Sequence, residues 1–331
     1  MKIDAKQESN QFNFIRLFAA FLVFYGHAHI LMGGSVNTVL DHGLGVFIFF
    51  AISGYLISMS WEKDPSLRRF FIRRSLRIFP GLIAVTFLST FVLGPILTTW
   101  TLYDYFTSLQ LLLYLKNIFL YISYNLPGVF EHNIYPNAVN GSLWSLPVEF
   151  FMYILVAVFG ISNKYTKYVV LGFLFLFLAL ASKTAPDIII VYGVDLRSVI
   201  TTGVFFWAGA VMFHWNIKKF FSFESFVMAI FCLIFIYQWN DLYSIASLLI
   251  IPFAVLSFGF SHSNILSLFN KFDYSYGFYI YAFPIQQAIL YLMPKISLPL
   301  FLNTGFIITM MFAALSWHFI ERPMMLLKPK Q

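Results

Sequence analysis

Ten mostly apolar stretches of membrane-spanning length recur along this chain, and they restrict the possible folds severely. A bilayer core is about 30 Å thick, and a helix of roughly 20 apolar residues crosses it. The chain is 60% hydrophobic and 11% charged, whereas soluble domains carry about 25% charged residues. The stretches are continuous and do not alternate, which favours helices over a β-barrel. We predict an all-α, polytopic membrane helix bundle that forms a single domain over residues 1–331.

The distribution of basic residues predicts how the bundle lies in the membrane. The predicted spans are residues 14–33, 43–60, 78–97, 147–162, 168–185, 198–216, 221–239, 242–260, 274–292 and 298–320. Ten spans put both chain ends on one side. If that side is the cytoplasm, most of the 21 lysines and arginines face it, and those outside are Lys116, Lys183, Arg197 and Lys295. Positive residues concentrate on the cytoplasmic side of membrane proteins, so we predict that both termini are cytoplasmic.

The apolar segment 103–122 is ambiguous because it carries Asp104 and Lys116. Counted as a full span, it would invert all the later spans and remove the charge bias. We therefore predict a re-entrant or interfacial segment on the outer side. It belongs to a long outer excursion, residues 98–146, whose prolines and glycines indicate turns.

Arg16 and His27 lie eleven positions apart in the first predicted helix. At about 100° and 1.5 Å per residue they share one face and stand roughly 16 Å apart, whereas His29 is turned away by about 200°. An ionisable group inside a span is costly and indicates function. Arg16 could instead extend to lipid phosphates, and His27 could be a neutral imidazole bonded to another helix. Their shared face favours the functional interpretation.

The strongest basic cluster is Arg73, Arg74 and Arg77, at the predicted cytoplasmic mouth of the third span. Guanidinium groups bind phosphates through paired hydrogen bonds, so a phosphorylated ligand is one interpretation. The alternative is anchoring to anionic lipid, which is common for basic residues next to a span.

Two further segments contain polar residues within or beside spans. Ser53 and Gly54 lie in an aromatic span, where small residues let helices approach closely. Glu149 lies after Trp144, at the predicted outer entrance of the fourth span. A carboxylate there could orient an imidazole or accept its proton, or it could be an ordinary interfacial residue beside the aromatic belt.

Several classes of site are disfavoured. The one cysteine, Cys232, lies in an apolar run, so neither a disulfide nor a thiolate metal cluster can form. The chain has no Walker loop, His-Glu-x-x-His pair or dinucleotide fingerprint. Topology explains the net charge of +7. We expect membrane lipids as neighbours, no metal and no nucleic-acid partner.

In this order, the segments resemble integral-membrane acyltransferase family 3, the polysaccharide O-acyltransferases, over essentially the whole chain. The matching positions are Arg16, His27, Gly45, Val46, Phe49, Phe50, Ser53, Gly54, Tyr55, Leu56, Arg73, Arg74, Arg77, Pro80, Leu143, Trp144, Ser145, Leu146, Glu149, Ser275, Tyr276, Tyr279, Pro284, Glu321, Arg322 and Pro323. The chain departs from the family pattern at Phe47, where many members have an acidic residue, and at Ala282, where many have histidine.

The resemblance implies an O-acyltransferase of the bacterial inner membrane. It would move acetyl from cytoplasmic acetyl-CoA to a hydroxyl of a cell-surface polysaccharide or its lipid-linked precursor. The predicted catalytic residues are His27, as general base or acyl carrier, and Glu149. The predicted donor-binding residues are Arg16, Ser53, Tyr55, Arg73, Arg74 and Arg77.

Two other functions stay open at this point. Intramembrane arginine and histidine also mark transport paths, so the chain could be a transporter or flippase of a glycan or lipid intermediate. No inverted repeat of the kind found in many transporters is detectable in the sequence. A membrane scaffold of a glycan-assembly complex is the third possibility.

Overall fold

The computed structural model describes residues 10–34, 42–160, 165–181, 189–261 and 266–329, and in these ranges the chain is almost entirely helical. The helices are α1 Phe12–Leu31, α2 His42–Lys63, α3 Leu67–Leu88, α4 Gly94–Leu97, α5 Leu102–Thr107, α6 Leu109–Leu115, α7 Ser145–Phe159, α8 Thr166–Ala181, α9 Leu196–His214, α10 Phe223–Ile236, α11 Asn240–Phe260, α12 Ser275–Leu292, α13 Leu298–Ser316 and α14 Arg322–Met325. Short 3₁₀ turns cover Lys116–Phe119, Gly141–Trp144, Ile217–Phe220 and Leu266–Lys271, and π turns cover Ser89–Leu93 and Trp317–Glu321. A small antiparallel hairpin, not predicted from the sequence, pairs β1 Ile189–Val191 with β2 Val194–Asp195.

In the ranges that the structure describes, every predicted span coincides largely with helix. Six helical segments among the described residues are long and apolar enough to cross a membrane: Phe12–Leu31, Gly43–Lys63, Leu67–Leu97, Gly141–Phe159, Leu196–His214 and Leu298–Met325. The apolar helices Thr166–Ala181, Phe223–Ile236 and Ile245–Phe260 are shorter. The helical membrane bundle is thus confirmed. The number of ten spans and the cytoplasmic termini stay predictions, since both chain ends and Lys183 lie outside the described residues.

The segment 103–122 is broken into short helices. Thr101 and Ser108 accept hydrogen bonds from the backbone N–H groups of Asp104 and Gln110, so each begins a new helix. The longest apolar piece, Leu109–Phe119, is too short to cross a bilayer. The segment is therefore not a continuous span, and its position at the outer surface stays a prediction.

Close contact between α2 and α9 sets one wall of the bundle. A Cβ atom added at Gly54 of α2 would overlap the backbone oxygen of Phe206 on α9. A Cβ at Gly209 of α9 would in turn overlap the backbone oxygen of Ala51 on α2. Small residues allow such contact between membrane helices, so the helix-packing interpretation of Gly54 is confirmed.

Gly54→Ala is expected to destabilise the protein by about 3 kcal/mol, because the added methyl group must push α2 and α9 apart. Thermal unfolding in detergent measures this as a lower apparent Tm. Gly172→Ala on α8 is the control, since nothing lies within 4 Å of a Cβ at that position. Equal shifts for the two variants would contradict the argument.

Candidate active site

A polar cavity of about 100 Å³ lies where α1, α2, α3, α7 and α12 meet. Five of the residues predicted from the sequence line it: Arg16, Ser53, Arg74, Arg77 and Glu149. They come from four different helices, so the fold assembles a site from positions far apart in the chain. Ser145, Tyr153, Ser275, Tyr276 and Tyr279 line the same cavity.

Two of the cavity arginines share one buried carboxylate. Arg77 donates from Nη2 to Asp273 Oδ2 over 2.7 Å, and Arg16 Nη1 lies 3.9 Å from the same oxygen. Ser275 donates from Oγ to Asp273 Oδ1 over 2.5 Å. Burial tends to raise the pKa of Asp273, but the charges of Arg77 and Arg16 and the two hydrogen bonds hold it at about 2. Asp273 is therefore ionised.

Sequence reasoning missed Asp273. The available signal was weak: the residue lies two positions before the Ser-Tyr motif that begins at Ser275. Buried arginines need a nearby anion, but no sequence pattern says which carboxylate supplies it.

Arg74 differs from the other two cavity arginines because it has no ion pair among the described residues. Its Nη2 group donates to Ser60 Oγ over 3.3 Å, and its guanidinium lies 5.8 Å from the centre of the Phe70 ring. Its Nε atom is buried without a hydrogen-bond partner in the described part of the chain. Arg74 can thus bind an incoming anion without first losing a carboxylate partner.

Arg73, next to Arg74, is not among the cavity-lining residues. It is 4% exposed and donates from Nη1 to Asp64 Oδ2 over 2.7 Å. Arg69 also bonds to Asp64, and these hydrogen bonds lower the pKa of the Asp64 carboxyl below its ordinary value. Arg73 thus fastens the short loop between α2 and α3.

Glu149 is half-buried and lies well inside a helical segment rather than at the span entrance predicted from the sequence. The helical segment begins at Gly141, so Glu149 is near the middle of Gly141–Phe159. The Asn140 side chain caps the first turn, and Pro147 is compatible with the first turn of α7. Glu149 Oε1 accepts hydrogen bonds from Ser53 Oγ over 2.7 Å and from Tyr153 Oη over 2.6 Å.

A hydrogen-bonded pair of hydroxyls lies in the same cavity. Tyr279 donates from Oη to the backbone oxygen of Ser142 over 2.8 Å. Its Oη is also 2.7 Å from Ser145 Oγ, so Ser145 donates to it. The ring of Phe49 packs edge-on against Tyr279, with the centroids 5.7 Å apart. These contacts fix the hydroxyls of α7 and α12 in the cavity wall.

His27 and Tyr55 are also not among the residues that line the cavity. His27 is 7% exposed and packs edge-on against Phe283, with ring centroids 5.1 Å apart. It lies three turns beyond Arg16 along the unbroken helix α1. Tyr55 is buried against Phe213 and Phe260, on a different face of α2 from Ser53.

Metal-ligating side chains are not clustered in the described ranges: no group of three or more His, Cys, Asp or Glu residues there could hold a metal ion. Cys232 is exposed. The chemistry available in the cavity is that of guanidinium, carboxylate and hydroxyl groups.

Comparison with known proteins identifies the kind of protein that carries this cavity. A family model described as an acyltransferase domain matches residues 9–320, almost the entire chain. The chain belongs to acyltransferase family 3. The match confirms the resemblance seen in the motifs, and together with the apolar helices it makes the protein an integral-membrane acyltransferase.

Two curated relatives of this family 3 acyltransferase extend the comparison. An O-acetyl transferase of Shigella phage Sf6 is 29% identical over 326 residues, which cover 95% of this chain and 96% of the relative. Nodulation protein 10 of Rhizobium leguminosarum bv. viciae is 36% identical over 159 residues, which cover 44% of this chain and 42% of that protein. No solved structure matches the chain.

For an acyltransferase, the cavity separates two chemical environments. Arg16, Arg74 and Arg77 supply positive charge, and only Asp273 makes an ion pair with any of them in the part of the chain that the structure describes. Glu149 and the hydroxyl groups of Ser53 and Tyr153 form a second, hydrogen-bonded group. The first environment can bind anionic groups through charge-assisted hydrogen bonds, and the second can orient polar groups.

Proposed function

We propose that this acyltransferase transfers an acetyl group from acetyl-CoA to a hydroxyl of a cell-surface glycan or its lipid-linked precursor. The observation that carries the proposal is the meeting of Arg16, Arg74 and Arg77 with Glu149 in one intramembrane cavity. The name of the phage relative, O-acetyl transferase, supports acetyl as the group and oxygen as the acceptor atom.

The donor is proposed to bind through its phosphates on the predicted cytoplasmic side. Pockets that enclose drug-sized ligands have volumes of about 300–1,000 Å³. The cavity of about 100 Å³ is far smaller, so it suits the thioester end of the donor and leaves the nucleotide at its mouth. There, Arg74 and Arg77 would bind phosphate oxygens and Arg16 would guide the pantetheine arm. Ser53 lies further along this path, beside Glu149.

His27 is proposed as the catalytic histidine further along α1. As a general base, it would take the proton of the acceptor hydroxyl while the oxygen attacks the thioester carbonyl, and the CoA thiolate that leaves would then take up that proton. As an acyl carrier, its imidazole nitrogen would bond to the acetyl carbon while the carbon–sulfur bond breaks and the CoA thiolate leaves. The acceptor hydroxyl would then attack the acetyl carbon, the carbon–nitrogen bond would break, and the hydroxyl proton would pass to the CoA thiolate.

Glu149 is proposed to act in the same step. Ser53 and Tyr153 hold its carboxylate in the cavity, and a fixed negative charge there would favour the positive charge that His27 gains in either route.

Reconstitution tests the proposal directly. The purified protein in lipid nanodiscs, given labelled acetyl-CoA and candidate glycan acceptors, is expected to attach the label covalently to a glycan. In sealed vesicles, movement of the glycan across the membrane without covalent labelling would instead support the transporter or flippase interpretation.

We predict that donor binding depends on pH because of Lys328. It follows α14, whose Met325 contacts Arg77. Burial and the charges of Arg77 and Arg74 lower the pKa of Lys328 to about 8. Below that pH Lys328 is positively charged, so the phosphates of the donor bind near one additional cation. We expect the donor KM to rise roughly threefold between about pH 7 and about pH 9, since a partly exposed ion pair is worth about 0.2–1 kcal/mol.

The control for this effect is Lys328→Arg, because a guanidinium stays charged throughout that pH range. The variant should show a donor KM that is nearly independent of pH. The same rise in both proteins would show that another group is responsible. KM is the quantity to follow, because Lys328 is expected to act on donor binding.

A further inference from the structure

Asp273 already occupies the guanidinium groups that the donor would use. Its Oδ2 atom accepts from Arg77 over 2.7 Å and lies 3.9 Å from Arg16 Nη1. The residue is 7% exposed, and Ser275 holds its other oxygen. Asp273 does not itself line the cavity, but it lies directly behind it, bonded to two arginines that do.

Carboxylates and phosphates bind guanidinium groups in the same way, through short charge-assisted hydrogen bonds. They therefore compete for the same N–H groups of Arg77. Without an anion, two partly buried guanidinium groups would lie close together without a counter-charge, which is unfavourable. The carboxylate thus stabilises the arginines and lowers their affinity for any further anion.

We propose that Asp273 is a built-in competitor of the donor's phosphate groups: it holds Arg16 and Arg77 together and releases Arg77 when a phosphate binds. This inference rests on the proposed function, because it takes the nucleotide part of CoA as the competing anion. Substrate, transition state and product carry the same phosphates, and binding that is equally strong in the substrate and the transition state does not raise kcat. A competitor that weakens both lets the free CoA product leave.

The protein contains a matched control for this competition. Asp64 accepts from Arg73 over the same 2.7 Å, and the side chains of Asp64 and Asp273 are equally exposed, at 9%. Arg73, however, does not line the cavity. Asp64→Asn and Asp273→Asn therefore remove the same charge from similar ion pairs, and only the second change frees arginines that line the cavity.

The test measures CoA binding by calorimetry on purified protein in nanodiscs of zwitterionic lipid. Asp273→Asn is expected to bind CoA about tenfold more tightly than wild type, since a hydrogen bond to a charged group is worth about 1.5–3 kcal/mol. Asp64→Asn is expected to keep the wild-type affinity. Both variants should have a lower apparent Tm, and CoA should raise the Tm most in Asp273→Asn. Unchanged or weaker CoA binding by Asp273→Asn would overturn the proposal.

Ser275→Ala provides a milder variant in case Asp273→Asn does not fold. It removes the 2.5 Å hydrogen bond that fixes Asp273, so the carboxylate holds Arg77 less firmly. CoA binding is expected to become about threefold tighter, less than in Asp273→Asn, because the carboxylate and its bond to Arg77 remain. Weaker binding would count against competition.

Three ligands identify the source of the phosphate. CoA, dephospho-CoA and inorganic phosphate are titrated separately, and the CoA titration is repeated in nanodiscs that contain phosphatidylglycerol. A gain in affinity for either coenzyme form supports the proposal. If Asp273→Asn instead gains affinity for phosphatidylglycerol and not for CoA, Asp273 belongs to a lipid site and the proposal is overturned.

The failure of this inference and that of the proposed function are distinguishable. Acetyl transfer by wild type without tighter CoA binding by Asp273→Asn rejects the competitor alone. Tighter CoA binding without transfer to any glycan rejects the proposed function alone.

Discussion

Replacing His27 by alanine is expected to lower acetyl transfer at least about 100-fold, the usual contribution of a general acid or base. Both proposed routes need the imidazole, either to take the proton or to carry the acetyl group. Donor binding should persist because Arg16, Arg74 and Arg77 remain. The measurement is label transfer from acetyl-CoA, normalised to the amount of folded protein in the membrane.

His29→Ala is the matched control on the same helix. His29 packs edge-on against Tyr25, with ring centroids 4.7 Å apart, and it does not share the Arg16 face. It should retain most of the wild-type rate. His27→Gln keeps a polar side chain and separates lost chemistry from lost packing, since it should be as inactive as alanine. Wild-type transfer by His27→Ala would remove His27 from the mechanism.

The same enzyme can show which route His27 takes. Without an acceptor, the acyl-carrier route predicts label bound to wild-type protein after rapid denaturation, and none bound to His27→Ala. The general-base route predicts that neither protein is labelled.

Arg74→Ala is expected to raise the donor KM about 10-fold to 100-fold, because a hydrogen bond to a charged group is worth about 1.5–3 kcal/mol. Arg74 has no ion pair among the described residues, so its removal leaves no carboxylate unpaired and should change the apparent Tm little. Steady-state kinetics at varied acetyl-CoA concentration and thermal unfolding test the two expectations.

Arg73→Ala, at the adjacent position, should show the opposite pattern. It removes the buried partner of Asp64, so a lower apparent Tm is expected, with a donor KM within about twofold of wild type in the folded fraction, as for a site without ligand contact. If Arg73→Ala raises the donor KM as strongly as Arg74→Ala does, then all three arginines of the run bind the donor, as the sequence alone had predicted.

The fold could be predicted because the bilayer constrains it. Long apolar runs have few ways to satisfy their backbone in lipid, and helices are the simplest. The start of the fourth span was harder to place, since the 3₁₀ turn Gly141–Trp144, capped by Asn140, leads directly into α7 and lengthens the helical segment. Because the helical segment begins earlier than predicted, Glu149 lies near its middle and not at its entrance.

The site could be predicted only in part, for geometric reasons. Ser53 and Tyr55 are two positions apart, so they point about 200° apart on α2. One therefore lines the cavity, and the other packs against Phe213 and Phe260. Asp273 and Arg77 are 196 positions apart, and only the packing of α3 beside α12 brings them together. Local periodicity contains no information on such a pair.

The ion pairs of Asp64 also restrict how the protein can admit a donor. Asp64 binds Arg69 and Arg73 directly after α2, and so joins the helix that carries Ser53 to the helix that carries Arg74. These ion pairs limit how far α2 and α3 can separate at this loop. On the other side of α3, Arg77 Nη1 donates to the Met325 sulfur of α14 over 3.6 Å, and a thioether sulfur is a weak acceptor. If the mouth widens to admit a donor, we therefore expect α3 to part from α14 before it parts from α2.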